Sequence, residues 1–109
     1  MHAVKKGMIK INDRPVTTFE RAVLEEDTAL HVIAGTTGYK GGKRAAGGRT
    51  YIRLECFSGD FFFDPVVDED GEVTGIEIAC CGDDALDAAA KAVRFVKRVI
   101  EEERLGIDQ

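Results

Sequence analysis

The sequence predicts an α+β domain: an antiparallel sheet of five or six strands with one long C-terminal helix packed across it. Three observations carry this. Short alternating or β-branched segments separated by turn signals fill the first three-quarters of the chain. The stretch "DEDGE" between two apolar segments signals a hairpin, because Asp-Gly supplies the φ > 0 positions that tight turns need. From Asp84 to Leu105 there is no Gly or Pro and alanine is abundant, which favours helix. The 109 residues suit one domain. Residues 1–82 form its β-rich part, with a glycine-rich loop at 35–48, and residues 83–105 form its helix.

Taken in order, "MIKIN" (Met8 to Asn12) alternates as a half-buried strand does. "DRP" reads as a turn, with Pro15 fixing φ. "VTTFERAVL" (Val16 to Leu24) fits a strand or a short helix, and its threonines and valines favour strand. "EEDT" is a second turn. "ALHVIAG" (Ala29 to Gly35) is a strand with a β-branched centre. "RTYIRLECF" (Arg49 to Phe57) alternates cleanly, and "SGD" turns the chain into "FFFDPVV". After the Asp-Gly hairpin, "VTGIEIACC" is the returning strand. Phe61 and Phe63 then share one strand face and Phe62 the other. Either Phe62 is core and Phe63 open, or the reverse.

The helix opens with Gly82, Asp83 and Asp84, an N-cap candidate and negative charge where the dipole favours it. Gly106 suits a C-cap. Glu101, Glu102 and Glu103 oppose the dipole at that end. At ~100° per residue the apolar positions from Leu86 to Ile100 span roughly 220° of the circumference. A helix lying on one sheet needs little more than ~100°. The surplus predicts a second apolar surface, for which a helix of another copy of the chain is the economical source. An N-terminal segment of the same chain would also serve. The narrow polar face carries Lys91, Arg94 and Arg98 at i, i+3, i+7. This stripe is either a solvated face or points Arg94 or Arg98 into a pocket at a dimer edge.

No run of 18 apolar residues exists to span a membrane. The segment "MHAVKKGMIK" lacks the apolar stretch of a signal peptide, so the expected location is cytoplasmic. Three cysteines without a CxxC pair read as buried thiols. The net charge is −5, yet between Asp27 and Glu55 stand five cations and no acid, so the remainder carries −10. Such a chain repels nucleic-acid polymers at long range but can take a small anion locally.

Catalytic constellations are missing. Only His2 and His31 offer imidazoles, and Ser58, the single serine, has no motif around it. No cluster with metal-ligand spacing stands out, and "DEDGEVTGIE" lacks the first carboxylate of a calcium loop. No catalytic residue, metal or cofactor is therefore expected.

The stretch "AGTTGYKGGKRAAGGRTYIR" (Ala34 to Arg53) holds six of the twelve glycines and all five of those cations. It is neither a Walker A motif nor GxGxxG. Glycines let successive N–H groups converge on an anion. Arg44 and Arg49 add planar forks suited to phosphate, and Thr36, Thr37 and Thr50 add hydroxyls. The same composition also suits a hairpin loop whose charges serve only solubility.

"GTTGYKGG" followed by "GGRTYIRL" resembles the signature stretch of the Thoeris anti-defence family of small phage sponge proteins. The likeness covers mainly residues 34–54, with the β-then-helix layout beyond. It implies sequestration, without cleavage, of cyclic ADP-ribose-type immune signals between the β-core and helices of a homodimer. It also implies binding of cyclic trinucleotides, the CBASS type of signal, by the loop when dimers assemble into hexamers. Gly41, Gly42, Gly47, Gly48, Arg49 and Thr50 match the loop motif, and Arg44 adds charge there. Lys43, Arg44, Ala45 and Ala46 stand where the family pattern has an acidic residue with small neighbours. For the dimer-edge pocket no motif matches. Plausible chemistry nominates Phe63 for base stacking, Asp64 for a ribose or base hydrogen bond, and Arg94 and Arg98 for pyrophosphate. The alternatives are a protein-binding inhibitor of a host nuclease and a structural oligomeric phage protein.

Overall fold

A computed structural model describes residues 4–39 and 47–104. Six strands and one helix follow in the order β1 (Val4–Ile11), β2 (Arg14–Leu24), β3 (Ala29–Thr36), β4 (Thr50–Ser58), β5 (Phe61–Val67), β6 (Val73–Cys80), α1 (Asp83–Glu103). The strands form two antiparallel sheets, not the single sheet expected. β1-β2-β3-β4 is a four-stranded meander, and β5-β6 is a separate hairpin. The split falls at Ser58–Asp60. Gly59 has φ +120°, and the β3-β4 ladder ends in a register shift at Ala29/Leu30, so β5 leaves the plane of β4.

The first turn lies earlier than "DRP". Asn12 (φ 50°) and Asp13 (φ 64°) form it, with Ile11 opposite Arg14. Both residue types tolerate positive φ, as a two-residue hairpin turn requires. Pro15 instead sits in β2 opposite Lys10. That pair follows the closing pair of the hairpin, so the position of the missing N–H faces away from β1. It costs no ladder bond, because β3 pairs with β2 only from Phe19 onward.

One face of the meander carries the core. Val23, Leu30, Val32 and Ala34 pack there against Ala88, Ala92, Phe95 and Val99 of α1. The helix lies mainly across β3 and less extensively across β2. The molecule is only 19 Å thin in one direction, about one sheet plus one helix. Val16 is also fully buried, outside that cluster. Near it, β3 passes so close to β2 that a Cβ on Gly35 would stand 2.1 Å from the Thr17 carbonyl oxygen.

The start of α1 is braced by the sheet. Gly82 is its N-cap and offers no side-chain cap. The Asp84 Oδ2 accepts a 3.0 Å bond from the Asp27 N–H in the β2–β3 turn. Lys91 pairs with Glu25 of the same turn. The wide apolar face of the helix is real and only partly used: Leu86 is 63 % exposed and Val93 68 %. Gly106, the expected C-cap, lies outside the described residues. No described helix is long and apolar enough to cross a membrane.

Candidate functional site

The glycine loop is rooted where β3 ends and β4 begins. The root is a small clasp of side chains and backbone. The Thr36 and Thr50 hydroxyls lie 2.8 Å apart, and the Gly38 N–H donates to the Thr36 Oγ1 at 3.1 Å. Across the clasp, the Thr37 N–H donates to the Arg49 carbonyl at 2.9 Å, and the Arg49 N–H returns a 2.9 Å bond to the Thr37 Oγ1. Gly48 must be glycine here, since a Cβ would fall 2.2 Å from the Gly38 carbonyl oxygen.

This geometry revises the roles expected of the threonines. Thr36 and Thr37 spend their hydroxyls on the backbone of the loop root. Thr50 is exposed, and its hydroxyl shares a hydrogen bond with that of Thr36 in which either can donate. Arg49 is likewise engaged: its Nη1 donates to the Gly47 carbonyl at 2.8 Å and lies 3.4 Å from that of Gly48. It braces the Gly47–Gly48 end of the loop. Gly47, Gly48, Arg49 and Thr50 are thus brought together at one end of the sheet. Gly41, Gly42 and Arg44, with Lys43, lie outside the described residues.

A contact that sequence reasoning missed ties this root to the helix. The Tyr39 N–H donates to the Arg104 carbonyl at 2.7 Å. Sixty-five positions separate the two, and no motif links them. Arg98 lies about 9 Å along the axis from Arg104. It lines a cleft of about 300 Å³ with Val4, Phe19, Phe95, Val99, Glu102 and Glu103. Its guanidinium carbon stands 5.9 Å from the centroid of the Phe95 ring, the outer limit of a cation–π contact. The loop root and the Arg98 cleft therefore share the C-terminal end of α1.

The second nominated group is only partly assembled. Arg94 is exposed on α1. Phe63 and Asp64 lie on β5, opposite Ile78 and Glu77, and do not line the Arg98 cleft. Both alternatives for the phenylalanine triplet are corrected: Phe61 packs against the core, while Phe62 is exposed on one face and Phe63 partly exposed on the other. The Phe63 ring stacks on Phe61, with centroids 6.2 Å apart and planes 21° apart.

Elsewhere the charges pair locally. On the sheet face away from the helix, the Glu20 carboxylate lies 2.8 Å from the His31 Nδ1, and the His31 ring meets Phe57 edge-on. The Arg53 side chain, 54 % exposed, has its pKa held above the ordinary value by Tyr51 first and Glu55 next. At the other end of α1, Asp27, Asp60, Asp83 and Asp84 line an open acidic cleft of about 530 Å³. These carboxylates come from three parts of the chain, so only the fold assembles them. Among the described residues no three His, Cys, Asp or Glu side chains are grouped to hold a metal ion.

No family model, curated protein or solved structure matches the chain.

Proposed function

We propose that this protein is a non-catalytic sponge that binds and sequesters cyclic nucleotide immune messengers, cyclic ADP-ribose isomers first and cyclic trinucleotides second. In this reading it is a phage anti-defence protein acting in the host cytoplasm, as a homodimer or a hexamer built from dimers. The observation that carries it is the clasped loop root. The two ends of a cationic, glycine-rich stretch on an otherwise acidic chain are tied together by Thr37 and Arg49, and one of them is anchored on the helix end that also presents Arg98. Such a loop offers backbone N–H groups and guanidinium forks to a phosphate without needing acid–base residues. The resemblance of residues 34–54 to the sponge family points the same way.

The test is a thermal-shift panel of cyclic ADP-ribose isomers, cyclic di- and trinucleotides, ADP-ribose and NAD. Ligand at ~100 times Kd adds ~2.7 kcal/mol to the folded state, a shift of several degrees. A cyclic nucleotide is expected to give that shift and to be recovered intact after the protein is denatured. Arg98→Ala, at an exposed position, should abolish the shift for the helix-edge ligand with little change in the unliganded Tm. No shift with any cyclic nucleotide overturns the reading.

The acidic cleft at Asp27, Asp60, Asp83 and Asp84 favours one rival, a protein-binding inhibitor whose carboxylates imitate nucleic acid. Charge reversal there, or at Asp68 to Asp70 or Glu101 to Glu103, would then end activity while Arg49→Ala would not.

A further inference from the structure

The cleft at the start of α1 holds more negative charge than the helix calls for. Asp83 and Asp84 stand in the first turn, where two carboxylates already outweigh the roughly half positive charge of a helix N-terminus. Asp27 from the β2–β3 turn and Asp60 from the β4–β5 turn add two more to the same cleft of about 530 Å³. No cation lines it. Lys91, two turns along the helix from Asp84, is held by Glu25. Among the described residues, Asp84 alone of the four carboxylates accepts a hydrogen bond, from the Asp27 N–H.

A second observation points into the cleft. Thr28 lines it and is only 4 % exposed, yet its hydroxyl has no hydrogen-bond partner among the described residues. The Thr28 backbone is satisfied, since its N–H and carbonyl both bond to Glu25. The side chain alone is left over, and a buried hydroxyl without a partner costs stability. Gly59 keeps that hydroxyl uncovered: a Cβ there would stand 2.9 Å from the Thr28 Oγ1. The cleft thus has carboxylates around it and an unused acceptor in its wall.

We propose that this cleft binds a linear polyamine. Its ammonium groups meet the carboxylates of Asp27, Asp60 and Asp83, and one of them donates to the Thr28 Oγ1. An ammonium group carries three donors and no acceptor, which suits a wall made of acceptors. The spacing of the carboxylates selects the ligand class. No three acidic side chains among the described residues are grouped to hold one metal ion, so several cations separated along a flexible chain fit better than a single ion. A protein partner fits less well, because no aromatic or large aliphatic side chain lines the cleft to receive an anchor residue. The site lies at the other end of α1 from Arg98 and does not rest on the proposed function.

The experiment is isothermal titration calorimetry of the full chain with spermidine at ~50 mM salt, where screening is modest. Saturable binding is expected, at least ~tenfold tighter than that of magnesium. Asp60→Asn combined with Asp83→Asn should weaken it at least ~tenfold, because two charge pairs are lost. Both positions are exposed, so this variant should keep the wild-type circular dichroism. Thr28→Val should also weaken binding about tenfold, through loss of a hydrogen bond to a charged donor, while keeping or raising Tm, since no hydroxyl is then left without a partner. Glu69→Gln combined with Asp70→Asn removes the same charge at the hairpin tip and should change affinity less than ~twofold. The proposal is overturned by absence of saturable binding, by equal weakening in the tip variant, or by full affinity in Thr28→Val. Magnesium binding as tightly as spermidine would assign the cleft to a metal ion, and a trilysine peptide binding more tightly would assign it to a protein; either overturns the proposal. Spermidine binding in a chain that takes no cyclic nucleotide would leave this site standing and overturn only the sponge.

Discussion

Two glycines show how single positions govern this molecule. Gly35 lies where β3 runs against the backbone of Thr17 and Thr18, with no room for even a methyl group. Gly35→Ala must push two strands apart inside the fold, and about 3 kcal/mol of stability should be lost, read from urea unfolding. Gly48 is tight in a different setting, the exposed loop root, where the clasp can give way locally. Gly48→Ala should cost only about 1 kcal/mol overall. Its mark should be local: faster hydrogen exchange at the Thr37 and Arg49 amides, which the clasp protects. Equal loss of protection across the whole sheet would contradict that division. The presence of glycine at both positions is plain in the sequence. The reason for it is not, because the atoms that exclude a Cβ belong to Thr17 in one case and Gly38 in the other.

At the scale of elements, the helix was readable and its duty was only half readable. Alanine content and the run free of Gly and Pro announce α1, and the described helix ends within two residues of the expected limit. Its buried row is Ala85, Ala88, Ala92, Phe95 and Val99, small residues around one large one. The alanines bring the helix close to the sheet, and Phe95 supplies most of the volume there. Phe95→Ala should therefore cost ~3–5 kcal/mol, enough to unfold much of a small domain at 37 °C. Thermal denaturation followed by circular dichroism checks this, and a loss under ~1 kcal/mol would mean the helix does not close the core. The excess apolar width was also legible from the heptad-spaced Leu86 and Val93. Periodicity alone could not say whether that row was covered within the chain. The hairpin was legible from Asp-Gly, and the structure adds its cap: the Asp68 Oδ1 accepts from the Asp70 and Glu72 N–H groups. Its separation from the meander was not legible, since the departure depends on Gly59 adopting φ +120°.

Over the whole molecule, the two ends of the helix carry different surroundings, although Glu102 and Glu103 stand beside Arg98 near its C-terminus. The acidic cleft stands at its N-terminal end, and the root of the basic loop at its C-terminal end. Fields of this kind act over about one Debye length, ~8 Å at physiological salt. In the sponge reading, binding of a cyclic nucleotide should weaken as salt rises from ~0.05 to ~0.5 M, while duplex DNA should not bind at physiological salt. Fluorescence anisotropy with labelled ligands checks both; tight duplex binding would move the function to nucleic acid.

The sequence by itself determined the element order, the antiparallel class, the Asp-Gly hairpin and the amphipathic helix, because each is written in spacing a few residues long. It also marked the loop, through glycine and charge that need no partner to be noticed. Tertiary structure alone decided the split into two sheets, the backbone hydrogen bond between Tyr39 and Arg104, and the gathering of four aspartates around the helix start. These join residues far apart in the chain, and no local periodicity encodes which distant atoms will meet.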